Sequence, residues 1–392
     1  MWVCIWRRVS REWKDAIYDC PSLWSSIVIH SRTEHVKTQL EKSKGAPLNI
    51  RILSFITNLP DQHWIQPLVD NVHRWKSVMF CGYPEDIVAR LESPPSMLDT
   101  FVIERTGIPD DCKLFNLVRP NLRKLSLILV TISHSFDPPR GLEELLLHCV
   151  AELREDRKIG AVSMNKVHQF LQRSPNLRIL QLEGPCGYSP DGHELQPVAL
   201  PKLEKVSTIT SETLHIFYAE NCLDISMGMK RIEERPPLRS WATFACALRR
   251  VERLKIVVGD GSLDFVAEAG PYEVELALCQ IRPRSGDSGR LVCSILQDIL
   301  DEAEKNEPIS ARVELALSIP NRESGSGLDA GLEVLELLQT PVSDASSGQA
   351  RRRIPNLDTL SISDPGLPFD ALKRFVQTRS NDQHMGATSP IT

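Results

Sequence analysis

The 392-residue chain carries 46 Lys and Arg against 51 Asp and Glu, for a net charge of -5, with 42% hydrophobic residues and 27 prolines. This balance describes a folded protein with a sizeable core and many turns, and it excludes the collagen-like and disordered classes. A field this weak over this length gives no argument for nucleic acid or an acidic membrane surface as partner.

The ten cysteines fall at 4, 20, 81, 112, 149, 186, 222, 246, 279 and 293, without a CxxC pair, which points to reduced thiols. The opening MWVCIWRR is too short an apolar run before Arg7 for a signal peptide, and no later stretch approaches about 18 apolar residues. Cytosol or nucleus is the expected location.

In chain order, Trp2, Trp6, Val9, Trp13 and Ile17 recur at helical spacing and predict an amphipathic helix. Pro21 biases Cys20 away from helical backbone, so the helix should stop by Asp19, and Trp24, Ile27 and Ile29 have the spacing of a turn feeding a strand. Downstream, one phrase recurs: apolar, two variable, apolar, one variable, apolar. RPNLRKLSL supplies Leu122, Leu125 and Leu127; SPNLRILQL supplies Leu177, Leu180 and Leu182; IPNLDTLSI supplies Leu357, Leu360 and Ile362. Looser copies begin at Trp75, Leu98, Leu142 and Val251, half a copy at Leu203, and a degenerate unit is expected around Leu214 to Ile225.

The last two apolar positions of the phrase share one face of a strand, and the first tucks under the preceding turn, so each unit must stack on a neighbour. Starts at 75, 98, 122 and 142 lie 23, 24 and 20 residues apart, inside the range of about 20 to 29 for leucine-rich repeats. Helical spacing appears at Val162 to Leu171, Trp241 to Leu248 and, most clearly, Leu291 to Lys305. The alternation predicts an α/β fold built as an irregular, leucine-rich-repeat-like solenoid. Asn321 to Ala330 and Pro341 to Arg353 read as loops or short linkers, and Arg379 to Thr392 as a frayed end.

Enzyme signals are weak. Gly325 to Gly331 (GSGLDAG) is one residue too long for a dinucleotide turn and reads as loop glycines. Ser163 and Lys166 form an SxxK pair with no SDN or KTG partner motif, and read as helix surface. His148 with Cys149, and His215 with Cys222, lack the paired spacing of a zinc site. The acid pairs Glu143/Glu144 and Glu233/Glu234 read as solvated faces, and Arg351 to Arg353 as a solvated loop. No catalytic, cofactor or metal residue is assigned.

Val9, Trp13, Lys14, Asp15, Ala16, Ile17, Pro21, Ser22, Leu23, Trp24, Ser25 and Ile27 resemble the second half of an F-box, V-C-x-x-W-R-x-hydrophobic followed by P-x-L-W-x-x-I, with Ser10 for the usual cysteine and Lys14 for the arginine. EHVKTQLEKSKGAPLNIRI and the repeat strands are similar to the large F-box families of mushroom-forming fungi: a helix, then Gly45, Ala46 and Pro47, then a strand. The family's leading Leu-Pro helices are not matched, so the resemblance is to an F-box truncated at its amino terminus. It implies a partial F-box at 1–30, a degenerate repeat domain at 31–378 and a disordered tail at 379–392. It further implies a non-catalytic substrate receptor of an SCF-type cullin-RING ubiquitin ligase. Val9, Trp13, Ile17, Pro21, Leu23, Trp24 and Ile27 would dock a Skp-type adaptor or pack beneath it, and the repeats would hold an unidentified target protein. No cofactor, nucleic acid or membrane is implied. A second reading stays open: a repeat scaffold for protein interaction that has lost adaptor binding.

Overall fold

A computed structural model describes residues 11–29, 34–53, 64–82, 87, 90–91, 95–105, 121–133, 136–153, 159–184, 186–187, 195–208, 216–222, 224–229, 242–248, 250–259, 262–269, 272–278, 288–304, 311–318, 327–339, 341–343, 350–352, 357–362 and 369–383. The chain is α/β with mostly parallel strands, and it divides into two compact units. The first comprises residues 1–177 with 183–189, the second 178–182 with 190–392, so the boundary falls inside the span read as one repeat domain.

In the first unit, helix α1 (Arg11–Tyr18) ends where Pro21 requires it: Cys20 is extended (φ -105, ψ 91), and Pro21–Trp24 make one 3-10 turn. There follow β1 (Ser26–Ile29), α2 (Glu34–Lys42), β2 (Leu48–Ile52), α3 (Ile65–Asp70), β3 (Trp75–Cys81), β4 (Thr100–Glu104), β5 (Lys124–Ile128), β6 (Thr131–Ser133) and β7 (Glu144–His148). β8 (Ala151–Leu153), β9 (Ile159–Ser163), α4 (Met164–Arg173) and the short β11 (Cys186–Gly187) complete it. Strands β1, β2, β3, β4, β5 and β7 pair in that order, all parallel, and a small sheet has the order β11-β9-β8-β6.

Register follows from the repeated phrase. Val78, Phe101, Leu125 and Leu145 stand side by side, as do Phe80, Ile103, Leu127 and Leu147, and all are at most 3% exposed. A one-residue slip would turn both rows to solvent, and each buried leucine contributes about 1.5–3 kcal/mol, so the pattern locks the pairing. Past β3, β4, β5 and β7, and again at Gly184, the backbone turns left-handed at the same repeat position. Gly82 (φ 90), Arg105 (φ 54), Leu129 (φ 52), Cys149 (φ 48) and Gly184 (φ 109) occupy it. The amides of Gly82, Arg105 and Leu129 each donate, at 2.8 Å, to the last carbonyl of the next strand. Only Gly takes this conformation freely, so three non-glycine residues here store strain of about 1–2 kcal/mol each.

The second unit contains β10 (Ile179–Glu183, apart from its last residue), β12 (Val198–Ala199), β13 (Lys205–Thr208), β14 (Phe217–Tyr218), β15 (Asp224–Met229), α5 (Ala242–Leu248), β16 (Arg253–Gly259), β17 (Ser262–Ala269) and β18 (Tyr272–Leu278). It continues with α6 (Ser288–Glu304), β19 (Arg312–Ser318), α7 (Gly327–Gln339), β20 (Pro341–Ser343), β21 (Ala350–Arg352), β22 (Leu357–Ile362) and α8 (Phe369–Gln383). Strands β10, β13, β15 and β18 run parallel, then an antiparallel meander β18-β17-β16 intervenes before β19 and β22 resume parallel pairing. Leu263, Phe265 and Ala267 alternate inward on β17; Val292, Ile295, Leu296, Ile299 and Leu300 on α6 are at most 1% exposed. Phe265 meets Phe244 of α5 edge-on at 5.4 Å.

Several expectations are corrected. Val162 belongs to β9, and α4 starts at Met164 because the Ser163 hydroxyl caps it, accepting from the Lys166 amide at 3.3 Å. Gly327 to Ala330, read as loop, open α7, and Pro341 to Arg352 contain the β20–β21 hairpin. Residues 379–383, expected to fray, continue α8. In IPNLDTLSI, Leu357 opens β22 opposite Val313, and Leu360 and Ile362 are only half-buried because β22 ends the sheet order and pairs with β19 alone. The degenerate unit is Cys222, Ile225 and Met227; Cys222, fully buried, takes the leucine position, while Leu214 lies outside the described residues.

Candidate interaction surfaces

The seven residues carried by the F-box resemblance separate by exposure. Ile17 (5%), Trp24 (7%) and Ile27 (0%) pack inward, Pro21 is half-buried, and Trp13 (51%) and Leu23 (47%) face solvent; Val9, like Trp2 and Trp6, lies outside the described residues. Trp13 thus departs from the buried stripe expected of it, because α1 closes against its neighbours through its last turn. There the Trp24 Nε1 donates to the Ile17 carbonyl at 2.8 Å, and the Trp24 ring stacks on Tyr18 at 5.7 Å and 3°. The Lys42 ammonium of α2 sits over both rings, at 3.5 Å from Tyr18 and 4.3 Å from Trp24. Trp24 thus joins α1, the turn and α2.

Behind this segment a buried Arg74, 7% exposed, closes the end of α2. Its guanidinium donates to the Ala46 carbonyl (3.0 and 2.8 Å), the Ser43 Oγ (2.6 Å) and the Asn71 Oδ1 (2.9 Å). A cation at a helix C-terminus offsets the orphan carbonyls there, and burial lowers its pKa. No sequence signal marked it.

Side chains between the buried rows point to the other face of the first unit's sheet. Across β3, β4, β5 and β7, one register line carries Met79, Val102, Ser126 and Leu146, and the next Cys81, Glu104, Ile128 and His148. All are half-buried. The Cys81 thiol donates to the Glu104 carboxylate at 3.2 Å, and the His148 ring pairs with Glu183. Exposed Leu129 follows at the rim. Mixed apolar and polar chemistry on a rigid strand array suits a protein surface more than a small molecule.

Where the turns enter these strands, a cleft of about 510 Å³ is lined by Lys76, Met97, Asp99, Arg123, Arg140 and Glu143, among others. Lys76, Asp99, Arg123 and Glu143 each follow the first apolar residue of their repeat, so charge alternates in sign from strand to strand. Their backbone is fixed: the amides of Arg123 and Lys124 donate to the Asp99 carbonyl, those of Glu143 and Glu144 to the Arg123 carbonyl. One residue on, Lys124 and Glu144 close an ion pair at 2.6 Å. In the second unit Arg178 and Glu204 pair bidentately at 2.8 and 2.9 Å, which holds Glu204 below the usual carboxylate range.

The enzyme-like motifs dissolve into structure. Ser163 is a helix cap, and Lys166, 5% exposed and not on the surface, donates to the Phe136 carbonyl at 2.7 Å. Gly327 and Gly331 lie within α7. The thiol of Cys222 is pushed up to about 12 by burial, so it is a packing group. Burial likewise raises the Tyr218 phenol, which donates to Glu220 at 2.7 Å. Among the described residues no cluster of three or more His, Cys, Asp or Glu could hold a metal, and no helix is long and apolar enough to cross a membrane. His215, Glu233, Glu234 and Arg353 lie outside the described residues. In comparison with known proteins, no family model matches the chain and no curated protein matches it at a significant level.

Proposed function

We propose that the protein is a non-catalytic binding scaffold, specifically a substrate receptor of an SCF-type ubiquitin ligase, presenting a target protein on the open face of its parallel strands. The observation that carries the reading is the division of residues 11–29. Ile17, Trp24 and Ile27 anchor the segment while Trp13 and Leu23 stay exposed. Exposed aromatic and aliphatic groups on a well-anchored turn are what a docking surface needs. The Skp-type adaptor is the partner that the F-box resemblance of these residues supports. The mechanism is proximity: two binding sites on one chain raise the effective concentration of target near the ubiquitin-charged enzyme, and no bond chemistry is asked of the protein itself.

The test is capture of a purified Skp-type adaptor by the full chain and by Leu23→Asp. Leu23 is 47% exposed, so the substitution leaves the fold intact while placing a charge in the contact. Capture by the parent chain and its loss in the variant support the receptor. A well-folded chain that captures no adaptor supports instead the second reading, a repeat scaffold without ligase docking.

A further inference from the structure

We propose that the cleft at the strand entrances of the first unit binds a carboxylate-rich peptide segment of a partner protein, with Arg123 as its bidentate anchor. This deepens the scaffold reading and rests on it, but not on adaptor docking.

Arg123 is the unusual group. Its guanidinium stands 3.7 Å from Asp99 on one side and 3.7 Å from Glu143 on the other, and makes no hydrogen bond among the described residues. Pairs at comparable repeat positions are closed: Lys124 to Glu144 at 2.6 Å and, in the second unit, Arg178 to Glu204 at 2.8 Å. A guanidinium carries five donors in a planar fork that matches a carboxylate. Here the two flanking acids hold the fork in place electrostatically while leaving those donors open. The Arg123 side chain is 62% exposed, against 32% and 35% for Asp99 and Glu143, so the fork faces the cleft mouth while its acids sit lower.

The remaining charges decide the ligand's sign. Lys76 and Arg140 line the same cleft, are exposed, and have no side-chain partner among the described residues. Three cations therefore meet two carboxylates, both already directed at Arg123, and the uncompensated charge is positive. Met97, 47% exposed on the wall, offers an apolar contact between the charged groups. That combination suits a peptide with spaced carboxylates and one aliphatic side chain. The cleft's floor is stiff, since the Asp99 and Arg123 carbonyls each accept two amides from the next turn, so the backbone that carries the fork is preorganised.

The experiment is fluorescence anisotropy of the full chain with a short labelled peptide rich in Glu and carrying one Leu, beside the same peptide with Gln for every Glu. The Glu peptide is expected to bind at least about tenfold tighter, and to weaken as salt rises from ~50 mM to ~300 mM. Arg123→Lys, which keeps the charge and loses the fork, and the double variant Lys76→Gln with Arg140→Gln should each lower affinity about tenfold. Arg178→Gln, outside the cleft, should leave it unchanged. Equal binding of the two peptides, binding of neither, or an equal loss in Arg178→Gln overturns the proposal. Adaptor capture, read separately, reports on the receptor alone, so failure here with capture intact strikes the cleft and not the receptor.

Discussion

The two units build parallel sheet in different ways. In the first, one phrase repeated at Trp75, Leu98, Leu122 and Leu142 fixes the register, and the same left-handed residue ends each strand at Gly82, Arg105, Leu129 and Cys149. In that sheet each strand from β2 to β5 pairs with one strand on either side, and β1, at the edge, with β2 alone. In the second, the meander β18-β17-β16 breaks the parallel run, and helices α5 and α6 pack against each other and against β17. Periodic stacking gives a sheet whose solvent face repeats predictably, which is what a recognition surface requires. Local hairpins with helical backing give a core that does not rest on the repeated phrase alone.

That contrast can be broken at its largest expected effect first. Trp24→Ala removes the stack on Tyr18 and the hydrogen bond to Ile17, and should cost about 3–5 kcal/mol; a urea midpoint equal to the parent's would contradict it. Phe265→Ala in the second unit empties a fully buried site against Phe244 and should cost a similar amount. The patterns of amide exchange should differ. Trp24→Ala should accelerate exchange most in β1 and β2 and less with each strand toward β7, as expected of nearest-neighbour stacking. Phe265→Ala should accelerate β16, β17, β18 and α5 together. Uniform acceleration after Trp24→Ala would remove the distinction.

Gly184→Ala should destabilise by about 1–3 kcal/mol, because at φ 109 its new Cβ would lie 2.9 Å from the Cys149 Cα. Conversely Leu129→Gly, at φ 52 and 46% exposed, should stabilise by about 0.5–1 kcal/mol in chemical denaturation, the relief of strain exceeding the entropy added to the unfolded chain. A destabilised Leu129→Gly would show that its side chain packs more than its backbone strains. The smallest effect concerns the exposed Arg178–Glu204 pair. Hydrogen bonding by Arg178 depresses the Glu204 pKa, so its contribution is present above the unfolded carboxylate's pKa and lost as pH falls through the folded value. The melting difference between the parent and Arg178→Gln should shrink from about pH 7 to about pH 3.

Much of the strand array was legible because two apolar residues two apart, with a third just upstream, leave one choice of face. Leu122, Leu125 and Leu127, for example, are all at most 2% exposed. The phrase hid where another residue took the leucine's place, as Cys222 does, and it overreached at IPNLDTLSI, where β22 has one neighbour and Leu360 stays half-buried. The meander was missed although its cues were present: Leu263, Phe265 and Ala267 alternate, and the sequence just before them reads Asp-Gly, a dipeptide that two-residue hairpins favour. Of the candidate surface, Ile17 followed from helical spacing and Trp24 from the spacing of a turn that feeds a strand. The exposure of Trp13 did not, because an amphipathic pattern says which face is apolar and not how much of it is covered. The charge alternation through Lys76, Asp99, Arg123 and Glu143 was readable at a fixed repeat position. Only the 3.7 Å spacing around Arg123, which depends on the rotamers of three side chains, lay beyond the sequence.

The most direct measurement of the receptor account is amide exchange of the full chain with and without a Skp-type adaptor. The account predicts slowed exchange confined to the segment Arg11 to Trp24, which carries exposed Trp13 and Leu23, with the strands β3 to β7 unchanged. Exchange unaltered everywhere, or slowed on the strand face and not in that segment, would contradict it.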